Sequence, residues 1–124
     1  MKITQDVRDS AIVVAVAGDI DSATVDALMA SLETGLTVAS EHAQQLLVID
    51  LGEVTYFGSA GLNAVLGCYE AGLSRGVAVR LVASAAEVIR PLEVTQLDTV
   101  IRPYPTISDA LAARADGDDV AETE

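Results

Sequence analysis

The 124 residues include one cysteine, one histidine, one lysine and no tryptophan, and each scarcity removes a class of function. Cys68 stands alone, so it forms no intrachain disulfide and supports no thiolate metal cluster. That usage suits a reducing compartment, the cytoplasm. Cys68 also falls within an expected helix, where a packed thiol needs no reactive role. His42 lies in a polar connection beside Glu41 and Gln44, with no evident serine or cysteine partner, so nothing supports a serine-histidine-acid triad. Aromatic residues are limited to Tyr56, Phe57, Tyr69 and Tyr104, too few for the stacking platforms that hold single-stranded nucleic acid. Long apolar runs are absent too. The longest, Ala11 to Ala17, falls far short of the roughly 20 residues a membrane-spanning helix needs, and Met1 to Asp9 is polar, so neither export nor membrane insertion is expected. A nucleotide-binding glycine loop with its lysine is also missing.

Positive charge is scarce overall. The formal net charge of −12 disfavours nucleic acid and anionic lipid and favours basic surfaces on partners. The acids are uneven: Asp116, Asp118, Asp119, Glu122 and Glu124 crowd residues 115–124 without a base, marking an acidic, disordered tail behind one domain over residues 1–114. The tail reads as a solubilising extension. Hydrophobic residues make up 51% of the chain, and with so few rings the core must come from Val, Leu, Ile and Ala.

Periodicity supplies an α/β order. Ile3 to Val7 and Ala11 to Ala17 read as a hairpin, the first strand at an edge and the second buried on both faces and ended by Gly18. Val25, Leu28, Met29, Leu32 and Leu36 have helical spacing, with Asp21 or Ser22 as N-cap and an end between Thr34 and Ser40. Leu46 to Ile49 reads as an interior strand stopping at Asp50. Leu62, Val65, Leu66, Tyr69 and Leu73 mark a second helix closed by Arg75-Gly76. Val77 to Val82 is the next strand, and Ala85 to Val94 a third helix that Pro91 should kink or restart. Val100 to Arg102 reads as a short last strand, followed by a fourth helix through Ile107, Ala110 and Leu111, capped by Thr106 or Ser108. Crossover helices require parallel neighbours and the hairpin an antiparallel pair, so the sheet is mixed.

The segment VIDLGEVTYFGSAGLNAVL, Val48 to Leu66, carries the clearest functional signal. A strand ends at Asp50, a short loop follows, and Ser59 stands where a helix begins. Helix starts leave N–H groups unpaired and partly positive, a setting that accepts phosphate. Capping alone also accounts for such a serine, at about 1 kcal/mol, and spacing does not choose between the two. Asp19, Asp21 and Asp50 fall just past strand ends, where a receiver-like magnesium site with an aspartyl phosphate acceptor could be built. A cap role for Asp21 and a turn role for Asp50 account for these two better, and the basic residue a receiver needs late in the fold, typically a lysine, is missing, since Lys2 at the wrong end is the only one. Gly58-Ser59-Ala60-Gly61 only imitates a nucleophile elbow, its second glycine coming one residue early. No cofactor or metal is expected.

Three short motifs together resemble one family. Gly18-Asp19-Ile20-Asp21, Val48-Ile49-Asp50-Leu51 and Phe57-Gly58-Ser59-Ala60-Gly61-Leu62 are similar in order and spacing to STAS domains, and among them to bacterial anti-sigma factor antagonists. The match runs from about Ile3 to Ala113. It implies a STAS-like mixed sheet with an N-terminal hairpin and about four helices, and a protein that acts by binding rather than catalysis. It further implies that Ser59 is phosphorylated by an anti-sigma factor that is also a serine kinase, with a serine phosphatase reversing the step. The unmodified form would bind that kinase and release the sigma factor. Asp19, Asp21, Gly58, Ser59, Gly61 and Leu62 would form the docking face, Asp21 matching an acid beside the acceptor. The family most often has Asp-Ser-Ser-Gly or Asp-Ser-Thr-Gly, where this chain has Gly58 and Ala60 around Ser59. That departure leaves room for an unphosphorylated scaffold or transporter-associated subunit.

Overall fold

The expected hairpin and helix-linked strands meet in one five-stranded sheet in the computed structural model, which describes residues 1–113. The acidic segment 115–124 and its boundary at residue 114 lie outside the described residues. The order along the chain is β1 (Lys2–Val7), β2 (Ile12–Ile20), α1 (Val25–Ser40), β3 (Leu46–Phe57), α2 (Ser59–Arg75), β4 (Ala78–Val82), α3 (Ala86–Val94), a 3-10 turn (Leu97–Thr99), β5 (Pro103–Tyr104) and α4 (Ile107–Ala112). The strands lie side by side in chain order, β1 antiparallel to β2 and every later neighbour parallel, as crossover helices demand.

Strand alternation divides the core between the two faces of the sheet. Ile12, Val14, Leu47, Ile49, Val79 and Leu81 face α1, α2 and α3, while Ala11, Val13, Leu46, Val48 and Val82 form a smaller cluster with Ala110 of α4. β2 and the first part of β3 are therefore apolar on both faces, as the unbroken apolar runs required, and β4 is so except at Arg80.

The structure corrects several expected boundaries. Gly18 does not end β2: it takes φ +98° within the strand, a conformation open to glycine, at the second of two irregularities in the β2–β3 ladder. β3 likewise does not stop at Asp50. Ala15 pairs with Asp50 but Ala17 with Glu53, and Gly18 pairs with Val54 but Asp19 with Tyr56, so β3 carries two extra residues. Each extra residue stretches the alternation, which is why Leu51, Val54 and Phe57 are all buried at intervals of three. A search for period two loses the strand there. α1 begins after Thr24, because the Asp21 carboxylate accepts the N–H groups of Ala23 and Thr24 in a turn ahead of the helix (2.9 and 3.1 Å). α1 runs to Ser40, the far limit of its expected end. α3 passes through Pro91 as one element. The last strand is Pro103–Tyr104, displaced from Val100 to Arg102 because Leu97 to Val100 close a 3-10 turn first. Thr106 does cap α4, accepting the Asp109 N–H at 3.0 Å.

Arg80, 6% exposed, is the buried charged side chain among the described residues. From β4 its guanidinium donates to the Ala110 carbonyl at 2.6 Å and to the Ala113 carbonyl, pairing with the electronegative end of α4. The charge is thereby compensated inside the smaller cluster. Arg80→Met removes both bonds and leaves their acceptors unpaired, and should lower unfolding free energy by about 2–3 kcal/mol. Urea unfolding checks this: the midpoint falls with the slope preserved, and an unmoved midpoint would show that the pairing contributes nothing.

Candidate functional site

The corner where β3 becomes α2 is fixed by its neighbour β2. Ile20 pairs with Phe57, and the Gly58 N–H then donates to the Ile20 carbonyl at 3.2 Å, a last rung before the chain turns away. Gly58, with φ −89° and ψ −174°, is the N-cap of α2, and its carbonyl accepts the Leu62 N–H at 3.1 Å. Ser59 is therefore the first helical residue and not the cap. Its side chain is exposed, and among the described residues its hydroxyl has no hydrogen-bond partner. Gly58 has no side chain to cap with, and no acid lies in the first turn, so α2 itself supplies no side chain to offset the partial positive charge there. Capping does not explain Ser59.

The two glycines beside Ser59 have separate packing reasons. A Cβ on Gly58 would fall 3.0 Å from the ring edge and hydroxyl of Tyr56, which is 53% exposed and lies over the corner. Gly61 is buried: a Cβ there would meet Phe57 ring carbons at 2.8 Å and Ile20 Cγ2 at 2.9 Å. Gly61 thus sets how close α2 sits to the sheet, beneath the surface that Ser59 presents.

Asp19 and Asp21 flank Ile20, the residue to which Gly58 is bonded, so both belong to the same corner as Ser59. The Asp19 carboxylate accepts the Thr55 hydroxyl at 2.5 Å. The Thr24 hydroxyl accepts the Asp21 N–H and donates to the Asp19 carbonyl, both at 3.0 Å, fastening the turn. Leu62 is half-buried and lines a groove of about 570 Å³ between α2 and α3, together with Ser59, Arg90, Pro91 and Val94. Val94 is 76% exposed. Sequence reading did not reach Tyr56, Arg90 or Val94. The available signal was Val94 itself, which breaks the helical spacing of Val88 and Leu92 and so cannot share their buried face.

The other candidates have structural roles. Asp50 lies inside β3, not at its end, and its carboxylate accepts the Gly52 N–H at 2.9 Å in the first irregular stretch. His42 is not merely solvated. Its Nδ1 accepts the Gln44 N–H at 3.1 Å while Nε2 contacts the Arg8 carbonyl at 2.8 Å, so it joins the start of β3 to the hairpin turn. Cys68 is buried in α2, and burial foremost, then Glu33, pushes its thiol up to about 12. Among the described residues, no group of three or more His, Cys, Asp and Glu side chains could hold a metal ion, and no helix is long and apolar enough to cross a membrane.

A family model for the STAS domain matches residues 2–110. The chain belongs to the STAS domain family. Its fold is that of the solved anti-sigma factor antagonists. One from Mycobacterium paratuberculosis is 32% identical over 93% of this chain and 94% of its own, with a TM-score of 0.82. The antagonist SpoIIAA in its unphosphorylated form shares the fold at 16% identity and TM-score 0.70, over 89% of this chain and 93% of its own. SpoIIAA from Bacillus in the phosphorylated form does so at 15% identity and TM-score 0.64, over 89% and 96%. No curated protein matches the chain.

Two measurements check the corner of this STAS domain. Gly61→Ala drives a methyl into Phe57 and Ile20 and should cost about 1–3 kcal/mol. Gly67→Ala, where a Cβ meets nothing within 4 Å, should instead add about 0.5–1 kcal/mol through helix propensity. Equal thermal shifts for the two would refute the packing account. A thiol reagent at pH 8 should leave native Cys68 unlabelled and label it only on unfolding. Because the folded thiol ionises later than the unfolded one, the stability that Cys68 contributes is full below pH 9.0 and lost as pH rises toward about 12.

Proposed function

We propose that this STAS domain is an anti-sigma factor antagonist that binds an anti-sigma factor with serine kinase activity, releases the sigma factor, and is switched off by phosphate on Ser59. One observation carries the reading. Ser59 offers an exposed hydroxyl, with no partner among the described residues, on a first helical turn that lacks side-chain capping. The kinase transfers the γ-phosphoryl group of ATP to Ser59 Oγ; ADP leaves, and the hydroxyl proton passes to a base of the kinase. A serine phosphatase reverses this by hydrolysis. The Mycobacterium protein of matching length, itself an anti-sigma factor antagonist, supports the assignment.

The domain acts by binding, in the cytoplasm. Its docking face is the corner of Asp19, Asp21, Gly58, Ser59 and Leu62, with buried Gly61 holding the surface in place. Phosphate adds about −1.5 to −2 charge beside Asp19 and Asp21, at a surface that must close against a partner. An unphosphorylated scaffold is the second reading, and Gly58 favours it: Tyr56 occupies the space where an acidic side chain would begin.

Incubation with the cognate kinase and ATP should add one phosphate, located at Ser59 by mass spectrometry. Uptake by a Ser59→Ala protein would sink the assignment. Ser59→Asp should weaken kinase binding by at least ~10-fold, equivalent to about 1.4 kcal/mol. Unlabelled protein that still binds its partner tightly would decide for the scaffold.

A further inference from the structure

Basic side chains are few on this acidic surface, and several are already engaged. Arg8 pairs with Asp6 at 2.8 Å, Arg75 pairs with Glu33 at 2.6 Å, and Arg80 is buried against α4. Arg90, on the exposed side of α3, has no hydrogen-bond or ion-pair partner among the described residues. Its side chain lines the same groove as Ser59, across from the helix that Ser59 begins. Phe57, Leu62 and Val94 add apolar surface to the same groove. An exposed cation thus lines the same groove as the candidate acceptor.

We propose that Arg90 holds the phosphate of modified Ser59, its guanidinium crossing the groove to take two phosphate oxygens and covering Leu62 and Val94 as it does so. The proposal rests on Ser59 being the acceptor and assigns the cation that answers it. The planar fork of arginine matches phosphate oxygens in pairs, which a lysine ammonium cannot do. Glu87 of α3 lines the same groove and competes for Arg90, but with one negative charge against the phosphate's nearly two. Asp19 and Asp21 add only repulsion at this corner. Among the described residues, Arg90 is the cationic side chain that shares a groove with Ser59. With it, modification does more than repel a partner: it folds a long side chain over the apolar groove where a partner would seat.

The test needs no kinase. Phosphoserine is placed at position 59 during synthesis, and the phosphorus NMR signal is followed through its second ionisation in the full chain. Arg90 should hold that ionisation about 0.5–1 pH unit below its value in the Arg90→Gln protein. Glu87, Asp19 and Asp21 are common to both proteins, so the difference isolates the guanidinium. Arg90→Lys should recover part of the shift, and the Arg90 Nε–H proton signal should move on modification of Ser59 in the unaltered chain. Arg102→Gln, which removes an exposed cation lining a different groove, should leave the ionisation unmoved. Equal values with and without Arg90, or an equal effect of Arg102→Gln, would overturn the proposal. A kinase that fails to label Ser59 would count against the function proposed above and leave the outcome of this titration standing.

Discussion

How closely the first turn of α2 can approach the ends of β2 and β3 governs the rest of the site. The approach is possible because residue 61 has no side chain, and Ile20 and Phe57 fill the room that a Cβ would need. With the helix seated there, the Gly58 N–H reaches the Ile20 carbonyl, and Ser59 emerges as the first helical residue at the surface. The same rung fixes Asp19 and Asp21 alongside. Farther along α2, Gly72 repeats the arrangement: a Cβ would lie 2.7 Å from the Val77 carbonyl oxygen and from Val79 Cγ2. Two close contacts therefore hold both halves of one helix to the sheet. A small shift of α2 would move the hydroxyl, its neighbouring acids and one wall of the groove together.

Much of this was legible in the sequence, and the failures share a cause. Helix α2 was readable because its apolar spacing is regular and Gly76, at φ +75°, marks its end. The hairpin, the mixed sheet and the α4 cap were readable for similar reasons of local spacing and local chemistry. What escaped was the outer half of the β2–β3 ladder. Its two irregularities convert alternation into intervals of three, and the exposed residues Gly52, Glu53, Thr55 and Tyr56 then resemble a loop. Yet this half carries the corner. The corner proposed as the site was legible from motifs, but the groove was not, because Arg90 and Val94 come from α3 and only the tertiary fold brings that helix beside Ser59. Tyr56 likewise gives Gly58 a physical reason that no local rule supplies.

Charge is distributed so that local sign matters more than the total. An excess of acids on the surface repels generic polyanions. The basic residues, by contrast, have individual tasks: Arg80 binds the end of α4 inside the protein, and Arg75 couples α2 to α1 through Glu33. Such exposed pairs contribute little to stability, commonly below about 1 kcal/mol. The buried one matters more, since its guanidinium has no water to return to. Among the described residues, the groove beside Ser59 thus sets Arg90, a cation engaged with no other side chain, next to apolar surface.

Magnitudes decide how a single phosphate could act on such a body. A domain of this size is held by roughly 5–15 kcal/mol, whereas each exposed charge contact is worth about 1 kcal/mol or less. Repulsion from Asp19, Asp21 and Glu87 together does not approach the energy needed to unfold α2, whose first turn is packed on Ile20 and Phe57. Binding operates on a finer scale, where each 1.4 kcal/mol is about tenfold in affinity. The same few contacts that leave the fold intact can therefore lower partner binding by about a hundredfold, and more where a desolvated interface strengthens them. A rigid corner is what makes this possible. If the helix start could yield, repulsion would be relieved by local movement; because Gly61 seats it closely on Ile20 and Phe57, the free energy of an added charge would instead be expressed at an interface there.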